Sequence, residues 1–337
     1  MKYSGRPMED YDDAIKKAHV WLKSQQKPDG SVERDTPLGG YYTQPMAFRA
    51  MGDPVSANRC LDLIRRQFLK EDGFLQHEKD VDDGLAYVPS WTIISSHMWD
   101  RFDISYPVSK WILQFQDPKT GGFFETFEDV KKRKGMIHFE TTTVGGMALV
   151  HVGKIQSAEK VGGFLLRLHK EQPDISNRYL FVWEAGKGIV SDYDESDARR
   201  FAVTRGKQKQ NYFKHGLFIS LLSQLYMATG KKEYVNAAKE NFEFALGCHE
   251  DIWHSGLSHK LCLGSAVLYL ATGDHKYFEA AKRIGDHLIS LQKEDGRYHY
   301  PEVCKNLEDQ SLIVNLDIVS QFTSWIAKTR SIMRDGE

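Results

Sequence analysis

Three carboxylates crowd into the run Asp80-Val81-Asp82-Asp83. Carboxyl groups this close together cannot all ionise, so the pKa of one of them rises and that group stays protonated near neutral pH. A protonated carboxyl group can serve as a strong general acid. The same residues can instead cap a helix that begins near Asp83, because carboxylates accept hydrogen bonds from the free N–H groups of a helix start. Both interpretations stay open at the level of sequence.

Glu140 is a second candidate acid. It lies in the run His138-Phe139-Glu140-Thr141, just before Gly145 and Gly146. Small residues there favour a helix packed closely against its neighbours, with Glu140 in the first turn. The carboxylate either faces a cavity or simply complements the positive end of the helix dipole.

The remaining candidates stand near the predicted starts of other helices, where free N–H groups favour polar and anionic ligands. Carboxylates and aromatic rings together can protonate an alkene and stabilise the resulting cation. The same residue types can stack on a sugar ring and supply an acid and a base. The predicted catalytic residues are Asp80, Asp82, Asp83, Glu140, His215, His259 and Asp309. The predicted substrate-binding residues are Tyr41, Tyr42, Gln44, Tyr87, Trp91, Tyr212, Lys214, Trp253, His254 and Lys260.

Cysteine and histidine also cluster, at Cys248, His249, His254, His259 and Cys262. Zinc prefers such ligands, but this spacing matches no zinc pattern. Cys262 falls in an apolar helix, where a buried cysteine usually packs as a small hydrophobic residue. Phosphate-binding and dinucleotide-binding motifs are absent from the sequence. We therefore predict neither a metal nor a cofactor.

A repeated unit predicts the elements that position these residues. An amphipathic helix is followed by Gln, a tight turn and Gly in 17–32, 109–124 and 281–298, with a weaker copy in 60–75 and two degenerate copies in 158–183 and 234–253. Apolar residues at helical spacing, such as Tyr277, Ala281, Ile284 and Leu288, support helix rather than strand. No segment alternates for long enough to predict a sheet.

A second set of helices, rich in small residues, alternates with the first. We place it at 41–51, 83–102, 140–152, 212–229, 257–272 and 308–327. Small residues such as Gly146 and Gly264 let helices crowd around an axis, which favours a closed ring over an open solenoid. The sequence thus predicts an all-α fold, an (α/α)6 toroid (barrel) of six helical hairpins formed by one domain, 1–337. A long polar loop at about 186–210 could cover one mouth of the ring.

The helix-Gln-turn-Gly unit resembles the QW repeat of terpenoid cyclases of the squalene–hopene type. Trp21, Gln26 and Gly30 match its spacing, and Gln292 and Gly296 match its second half. That resemblance implies repeats that tie the outer helices of the toroid together.

The run Asp80–Asp83 is similar to the DxDD acid motif of the same cyclases. The resemblance implies that Asp82 donates the proton to an alkene or epoxide and that its neighbours tune its acidity. In this chain Gly84 follows the motif, where the family has Thr.

A rival resemblance concerns the segments 226–234 and 269–277, in which Tyr, Ala-Thr-Gly and a second Tyr recur at the same spacing. They look like the hairpin turns of six-hairpin carbohydrate enzymes, such as unsaturated glucuronyl hydrolases and sugar epimerases. Those enzymes imply carboxylates or histidines at the cavity mouth, for which Glu140, Asp309 and the histidines are candidates.

The amino-acid composition limits the classes of binding partner that we expect. The 337 residues carry 45 Lys and Arg against 46 Asp and Glu, so no basic patch for nucleic acid or an anionic membrane is expected. Met1–Asp12 does not look like a signal peptide, and the longest apolar runs are too short for membrane insertion. Four cysteines without a disulfide pattern suit a reducing cytoplasm. We expect a small-molecule substrate, a terpenoid or a sugar, and leave the oligomeric state open.

Three functions remain as hypotheses. The first is a terpenoid-type cyclase or isomerase that protonates an alkene through Asp80–Asp83. The second is a glycan-processing enzyme, a hydrolase or an epimerase. The third is a binding or scaffold toroid without catalysis. An apolar cavity below the mouth favours the first, and an open polar cleft favours the second.

Overall fold

The computed structural model describes residues 5–76 and 85–333. Fourteen helices form within these ranges. They are α1 (Met8–Gln25), α2 (Gln44–Ala50), α3 (Pro54–Gln67), α4 (Tyr87–His97), α5 (Phe102–Ile112), α6 (Phe127–Lys132), α7 (Phe139–His151), α8 (Ile155–Lys170), α9 (Ala198–Phe201), α10 (Phe213–Thr229), α11 (Lys232–Leu246), α12 (His259–Thr272), α13 (His275–Ser290) and α14 (Leu312–Met333).

Five very short strands also form, which the sequence did not predict. They are β1 (Met136–Ile137), β2 (Arg178–Leu180), β3 (Trp183–Glu184), β4 (Gly188–Ile189) and β5 (Ala202–Thr204). β3 pairs with both β1 and β4, and β2 pairs with β5, all antiparallel. Strands of two or three residues are too short to show a period-two pattern. Part of the predicted polar loop at 186–210 is therefore ordered as β4, α9 and β5.

Twelve of the helices form a closed ring of six hairpins, which confirms the predicted (α/α)6 toroid. The inner helices are α2, α4, α7, α10, α12 and α14, and the outer ones are α1, α3, α5, α8, α11 and α13. α14 packs against both α1 and α2, so the last hairpin closes on the first. The predicted inner segments match the observed helices to within a few residues at most ends, except that α14 continues to Met333.

The hydrophobic pattern explains which helices lie inside. The inner helix α12 is buried on all sides from His259 to Tyr269. The outer helix α13 buries one stripe, which includes Tyr277, Ala281, Ile284 and Leu288, and exposes the opposite face. An outer helix packs against the protein on one side only, so its apolar residues form one stripe at helical spacing. An inner helix is covered by neighbouring helices and by the side chains that fill the ring, so it is buried on all sides.

The glutamines of the repeat tie successive outer helices together. The Nε2 atom of Gln26, after α1, donates to the Ser56 carbonyl of α3 at 3.0 Å. Gln116, after α5, reaches the Ser157 carbonyl of α8 at 2.9 Å. Gln292, after α13, reaches the Ala14 carbonyl of α1 at 2.9 Å and thereby closes the outer ring.

The glycines of the repeat allow the same contacts. A Cβ atom on Gly30 would stand 2.2 Å from the Arg59 carbonyl oxygen of α3, and one on Gly296 would stand 2.3 Å from the Lys17 carbonyl oxygen of α1. Both residues have φ near +90°, which favours glycine. In the inner ring, a Cβ atom on Gly216 of α10 would stand 2.0 Å from the Lys260 carbonyl oxygen of α12. These glycines are required because backbone meets backbone.

Strict alternation gives the ring two different mouths. Short connections, such as 230–231 and 273–274, lead from inner to outer helices. Long connections, up to 171–212, lead from outer to inner helices. All inner helices therefore begin at one end of the axis, the N-terminal mouth, and finish at the other, the C-terminal mouth. Within the described ranges, no helix is both long and apolar enough to cross a membrane.

Candidate active site

A buried ion pair stands at the start of α7. Glu140 is 8% exposed and Lys214, at the start of α10, is 2% exposed. The Lys214 Nζ atom lies 2.6 Å from the Oε1 atom of Glu140 and also donates to the Arg200 carbonyl at 2.7 Å. His138, the N-cap of α7, brings its Nε2 atom to 3.8 Å from the other Glu140 oxygen. We call Glu140, Lys214, His138 and Arg200 the ion-pair cluster.

The ion pair decides the protonation state of Glu140. Burial by itself raises the pKa of this carboxyl group, but the charges of Lys214 and His138 and the Lys214 hydrogen bond outweigh it and lower the pKa to about 2. Glu140 is therefore a carboxylate at neutral pH. It can accept a proton or hold a cation, but it cannot act as an acid in this state.

A second carboxyl group, Asp317, lies in the second turn of α14. Its Oδ1 atom accepts from the Nε2 atom of Gln321 at 2.7 Å and from the Thr43 hydroxyl at 3.4 Å. Burial raises the pKa of Asp317, although Gln321, Tyr42, the Lys260 charge and Thr43 act in the opposite direction. Asp317 thus has the opposite pKa shift to Glu140.

His259 and Lys260 face this region from the start of α12. The Nδ1 atom of His259 lies 2.8 Å from the Gly256 carbonyl, so this nitrogen carries the proton. The Lys260 ammonium donates to the Nε2 atom at 2.9 Å. Burial and the Lys260 charge lower the pKa of His259 well below its usual range, while Gly256 and Gln321 oppose the shift. His259 is therefore neutral at pH 7.

We call Asp317, His259, Lys260, Gln321 and Tyr42 the acid–base cluster. Gln321 links its members, because its Nε2 atom also donates to the Tyr42 hydroxyl at 3.3 Å. Aromatic rings enclose the cluster. The His259 ring lies 5.4 Å from that of Phe322, and Lys260 Nζ lies 5.0 Å from the centre of the Phe213 ring. A protonatable acid, a neutral imidazole and a cation thus occur together at the N-terminal mouth.

Part of the predicted loop reaches this mouth. In α9, Arg200 pairs with Glu125 at 2.9 Å while its carbonyl accepts from Lys214. Burial raises the pKa of the Tyr300 hydroxyl, while the charge of Arg199 lowers this pKa and the charge of Asp317 raises it. The loop therefore connects with the ion-pair cluster directly and lies close to the acid–base cluster.

Aromatic rings occupy the axis below the mouth. Tyr87, at the start of α4, meets Trp91 edge to face at 6.5 Å. Trp91 in turn lies 5.7 Å from Trp325 of α14. Both tryptophans also line an apolar cavity at the C-terminal mouth. The aromatic residues thus lie between two chemically different ends of the ring.

Two predicted catalytic residues lie outside both clusters. His215 is fully buried behind the mouth, where its Nδ1 atom lies 2.9 Å from the Asn241 side-chain oxygen and aromatic rings surround it. Burial lowers its pKa to about 4. It follows Lys214 in sequence, and one step along a helix turns a side chain by about 100°. Asp309 is exposed in the turn before α14 and accepts from Asn306 at 2.8 Å.

Several predicted binding residues support loops in the structure. The Tyr41 hydroxyl accepts from the Val32 N–H at 3.1 Å, and Gln44 donates to the Gly40 carbonyl at 2.6 Å. The Tyr212 hydroxyl donates to Asp251 at 2.5 Å and is fully buried. Their hydrogen-bonding groups are thus already engaged within the protein.

Trp253 and His254 turn toward the outer ring. The Arg283 guanidinium lies 4.6 Å from the centre of the Trp253 ring, and His254 meets His287 at 5.8 Å, so both residues contact α13. The predicted acids Asp80, Asp82 and Asp83 lie outside the described residues. Tyr42, Glu140, Lys214, His259 and Lys260 are the predicted residues that the structure brings into the two clusters.

Sequence reasoning missed Asp317 and Gln321, because at the last inner helix it considered only the residues at the predicted start. A usable signal exists. Asp317, Gln321, Ser324 and Lys328 recur at spacings of four, three and four in a largely apolar segment. Residues so spaced share one face of a helix, and a polar stripe on an enclosed helix can only face the axis.

Among the described residues, no group of three or more His, Cys, Asp or Glu side chains converges in a way that could hold a metal ion. The Cys262 thiol packs inside the fold and donates to the Ala281 carbonyl at 3.4 Å. Burial raises the pKa of this thiol to about 12, so it is not a thiolate ligand at neutral pH.

Comparison with known proteins agrees with the fold. No family profile matches the chain, and no curated protein sequence is significantly similar to it. Solved structures are similar in architecture. A D-mannose isomerase superimposes with a TM-score of 0.68 at 13% identity, covering 96% of this chain and 99% of that chain.

Two further structures correspond to the two enzyme classes suggested by the sequence. An unsaturated glucuronyl hydrolase specific for heparin gives a TM-score of 0.62 at 12% identity, covering 98% of this chain and 99% of that chain. A type II terpene cyclase from Scytonema, solved with its product merosterolic acid A, gives 0.61 at 11% identity, covering 96% and 98%. All three are (α/α)6 toroid proteins, so the comparison establishes the fold.

Proposed function

We propose that this protein is an enzyme that moves protons on a small sugar or uronate bound at the N-terminal mouth. The observation that carries the proposal is the acid–base cluster, in which Asp317 has a raised pKa beside a neutral His259. Catalytic sites typically contain two groups whose surroundings shift their pKa values in opposite directions, one above and one below its ordinary value. In this proposal Asp317 is the acid and His259 is the base.

The cations suit an oxygen-rich substrate. Lys260 stands beside both proposed catalytic groups, and its ammonium can bind a carbonyl or carboxylate oxygen that gains charge during the reaction. Binding there would draw Lys260 away from the His259 Nε2 atom and free this nitrogen to take a proton. Tyr42 and Tyr300 supply hydroxyl groups and ring faces at the same mouth, as a sugar requires.

Two relatives in fold act on sugars, a D-mannose isomerase and a glucuronyl hydrolase. Their activities make aldoses and unsaturated uronic-acid disaccharides the first substrates to test. Incubation in D2O would separate the two reactions. Deuterium uptake beside the carbonyl carbon marks an isomerase or epimerase, whereas release of a free monosaccharide marks a hydrolase.

Variants test the assignment. We expect Asp317→Asn and His259→Gln each to lower kcat by about 100-fold to 10,000-fold, the usual contribution of a positioned acid or base. Asp309→Asn is the matched control, because this carboxylate is exposed near the same mouth. Full activity in both cluster variants would refute the proposal. A wild-type protein that binds the sugars without any turnover would point to the binding-toroid hypothesis instead.

A terpenoid-type cyclase is the second candidate. Two features favour it: the Asp80–Asp83 motif and the aromatic residues Tyr87, Trp91 and Trp325, whose ring faces can stabilise a carbocation. Incubation with polyprenyl diphosphates and neutral polyprenoids, followed by mass spectrometry of the extract, would detect cyclic products. We expect Asp82→Asn to abolish them at an unchanged melting temperature. Lost stability with retained turnover would identify the motif as a helix cap.

A further inference from the structure

The C-terminal mouth holds a cavity of about 370 Å³. Its wall is mainly apolar and includes Met46, Ile94, Met147, Leu263, Val267 and Trp325. The volume falls within the range of about 300–1,000 Å³ that is common for small-molecule sites. The wall comes from inner helices all around the ring, so the cavity is built by the closed fold rather than by one surface groove.

The charged residues of this cavity are all basic. They are Arg49 and Lys328; His151 also lines the cavity, and no carboxylate does so among the described residues. Lys328 is only partly exposed, and among the described residues no carboxylate forms an ion pair with its ammonium. A half-buried ammonium group without an anion is costly, because burial removes its water. Burial accordingly lowers the pKa of Lys328.

The same cations affect the pKa of the neighbouring His151. Burial lowers the pKa of His151 to about 4, and the other groups that act on it, His97, Lys328 and Arg49, all lower it further. The Arg49 guanidinium and the Lys328 ammonium thus lie at one side of an apolar cavity, together with the uncharged imidazole of His151. An anion placed there would be attracted by both cations.

The partial negative charge of a helix C-terminus does not explain why the Lys328 ammonium lies in this cavity. Cations often sit at helix C-termini, where free carbonyl groups are partly negative, but the effect fades within the last turn. Arg49 fits that explanation, because it donates to the Met98 carbonyl at the end of α4 and lies over the Trp99 ring. Lys328 does not, because α14 continues to Met333, more than a turn beyond it.

An apolar groove continues from the cavity across the rim. The groove shares His151 and Lys328 with the cavity and adds Val150, Met227 and Leu270. Met227 is 49% exposed and Leu270 is 43% exposed, although both are large apolar side chains. Together, cavity and groove give a continuous apolar path with the Lys328 ammonium at the place where they meet.

We propose that the C-terminal mouth is a second binding site, which takes an amphipathic carboxylate: an alkyl chain in the apolar cavity and the carboxylate on Lys328 and Arg49. Burial of the alkyl chain against the apolar wall supplies most of the affinity. The ammonium of Lys328 supplies the selectivity for an anion. Trp91 and Trp325 stand between this site and the N-terminal mouth, so the proposal is independent of the sugar chemistry proposed there.

Decanoate is the probe that we would use, with the full chain in solution. Trp91 and Trp325 form part of the wall, so their fluorescence should change on binding, and calorimetry would give the Kd. Decanol and decyltrimethylammonium, with the same chain, separate the contribution of charge. We expect decanoate to bind at least tenfold more tightly than either of them.

Lys328→Met keeps the length and apolar volume of the side chain but removes the charge. We expect it to weaken decanoate at least tenfold and to leave decanol unchanged. Met147→Trp should fill the cavity and abolish binding of both. Lys119→Met is the control, because Lys119 is exposed in the turn after α5, at the N-terminal mouth. Equal affinity of decanoate for wild type and Lys328→Met, or equal binding of the cationic probe, would overturn the proposal.

Discussion

Replacement of Glu140 by Gln tests the buried ion pair. The folded protein holds the pKa of this carboxyl group at about 2, against 4.5 for an ordinary glutamate. At about 1.36 kcal/mol per pKa unit, this difference corresponds to roughly 3 kcal/mol of stability at neutral pH. Glu140→Gln also leaves the Lys214 ammonium 2% exposed without its carboxylate, and loss of one partner of a buried pair costs about 3–5 kcal/mol. We therefore expect a loss of about 3 kcal/mol.

The pH dependence gives a second measure of the same pair. The folded-state pKa lies below the unfolded one, so the unfolded chain takes up the proton first as the pH falls. The contribution of Glu140 is complete above about pH 5 and disappears as the pH falls from 4.5 toward 2. Wild type should thus lose stability in this window, and Glu140→Gln should lose about 3 kcal/mol less there.

Urea unfolding at pH 7 and pH 3 is the assay, and about 2 of these 3 kcal/mol should already be lost at pH 3. The double variant Glu140→Gln/Lys214→Met is the matched control, because an apolar replacement of both partners restores much of the lost stability. A Glu140→Gln protein within about 0.5 kcal/mol of wild type at pH 7 would refute the reasoning, because surface substitutions have effects of that size. It would mean that the carboxylate is hydrated rather than enclosed.

Two other expectations follow from the geometry. Gly296→Ala should destabilise the fold by roughly 2–4 kcal/mol, because the new Cβ atom meets the Lys17 carbonyl and φ is positive. Gly230→Ala, also at positive φ but facing open space, should cost only about 1 kcal/mol in the same thermal unfolding assay. If Asp317 is the acid and His259 the base, kcat/KM should rise as the pH falls from 8 toward 5. The reason is that Asp317 gains its proton while His259, whose pKa is lowered, stays neutral. A rate that climbs steadily up to pH 8 would contradict these roles.

Much of the fold could be predicted from local pattern. The Gln and Gly of the repeat recur because the same contact recurs between neighbouring outer helices, as at Gln26 and Gln292. The small residues of the inner set recur because inner helices touch, as Gly264 and Gly216 do. Both patterns arise from contacts between helices that are neighbours in the ring. Because these helices also follow one another along the chain, the patterns can be recognised in the sequence.

The candidate site was less predictable. Helix starts indicate which end of the ring is polar, but not which side chain points to the axis. His215 and Lys214 are neighbours in sequence, yet Lys214 pairs with Glu140 and His215 packs behind it. Asp309 precedes α14 and is exposed, whereas Asp317 lies inside. The rotation of each helix about its own axis, set by packing, separates these cases.

The amino-acid sequence by itself determined the number of hairpins, their alternation and the polar character of the N-terminal mouth, because helical periodicity and turn chemistry are local. Only the tertiary structure decided which charges meet. The pairing of Glu140 with Lys214 joins α7 to α10, and the meeting of Asp317 with Lys260 joins α14 to α12. Such pKa values depend on burial and on charges far away in the chain, and these quantities exist only once the ring has closed.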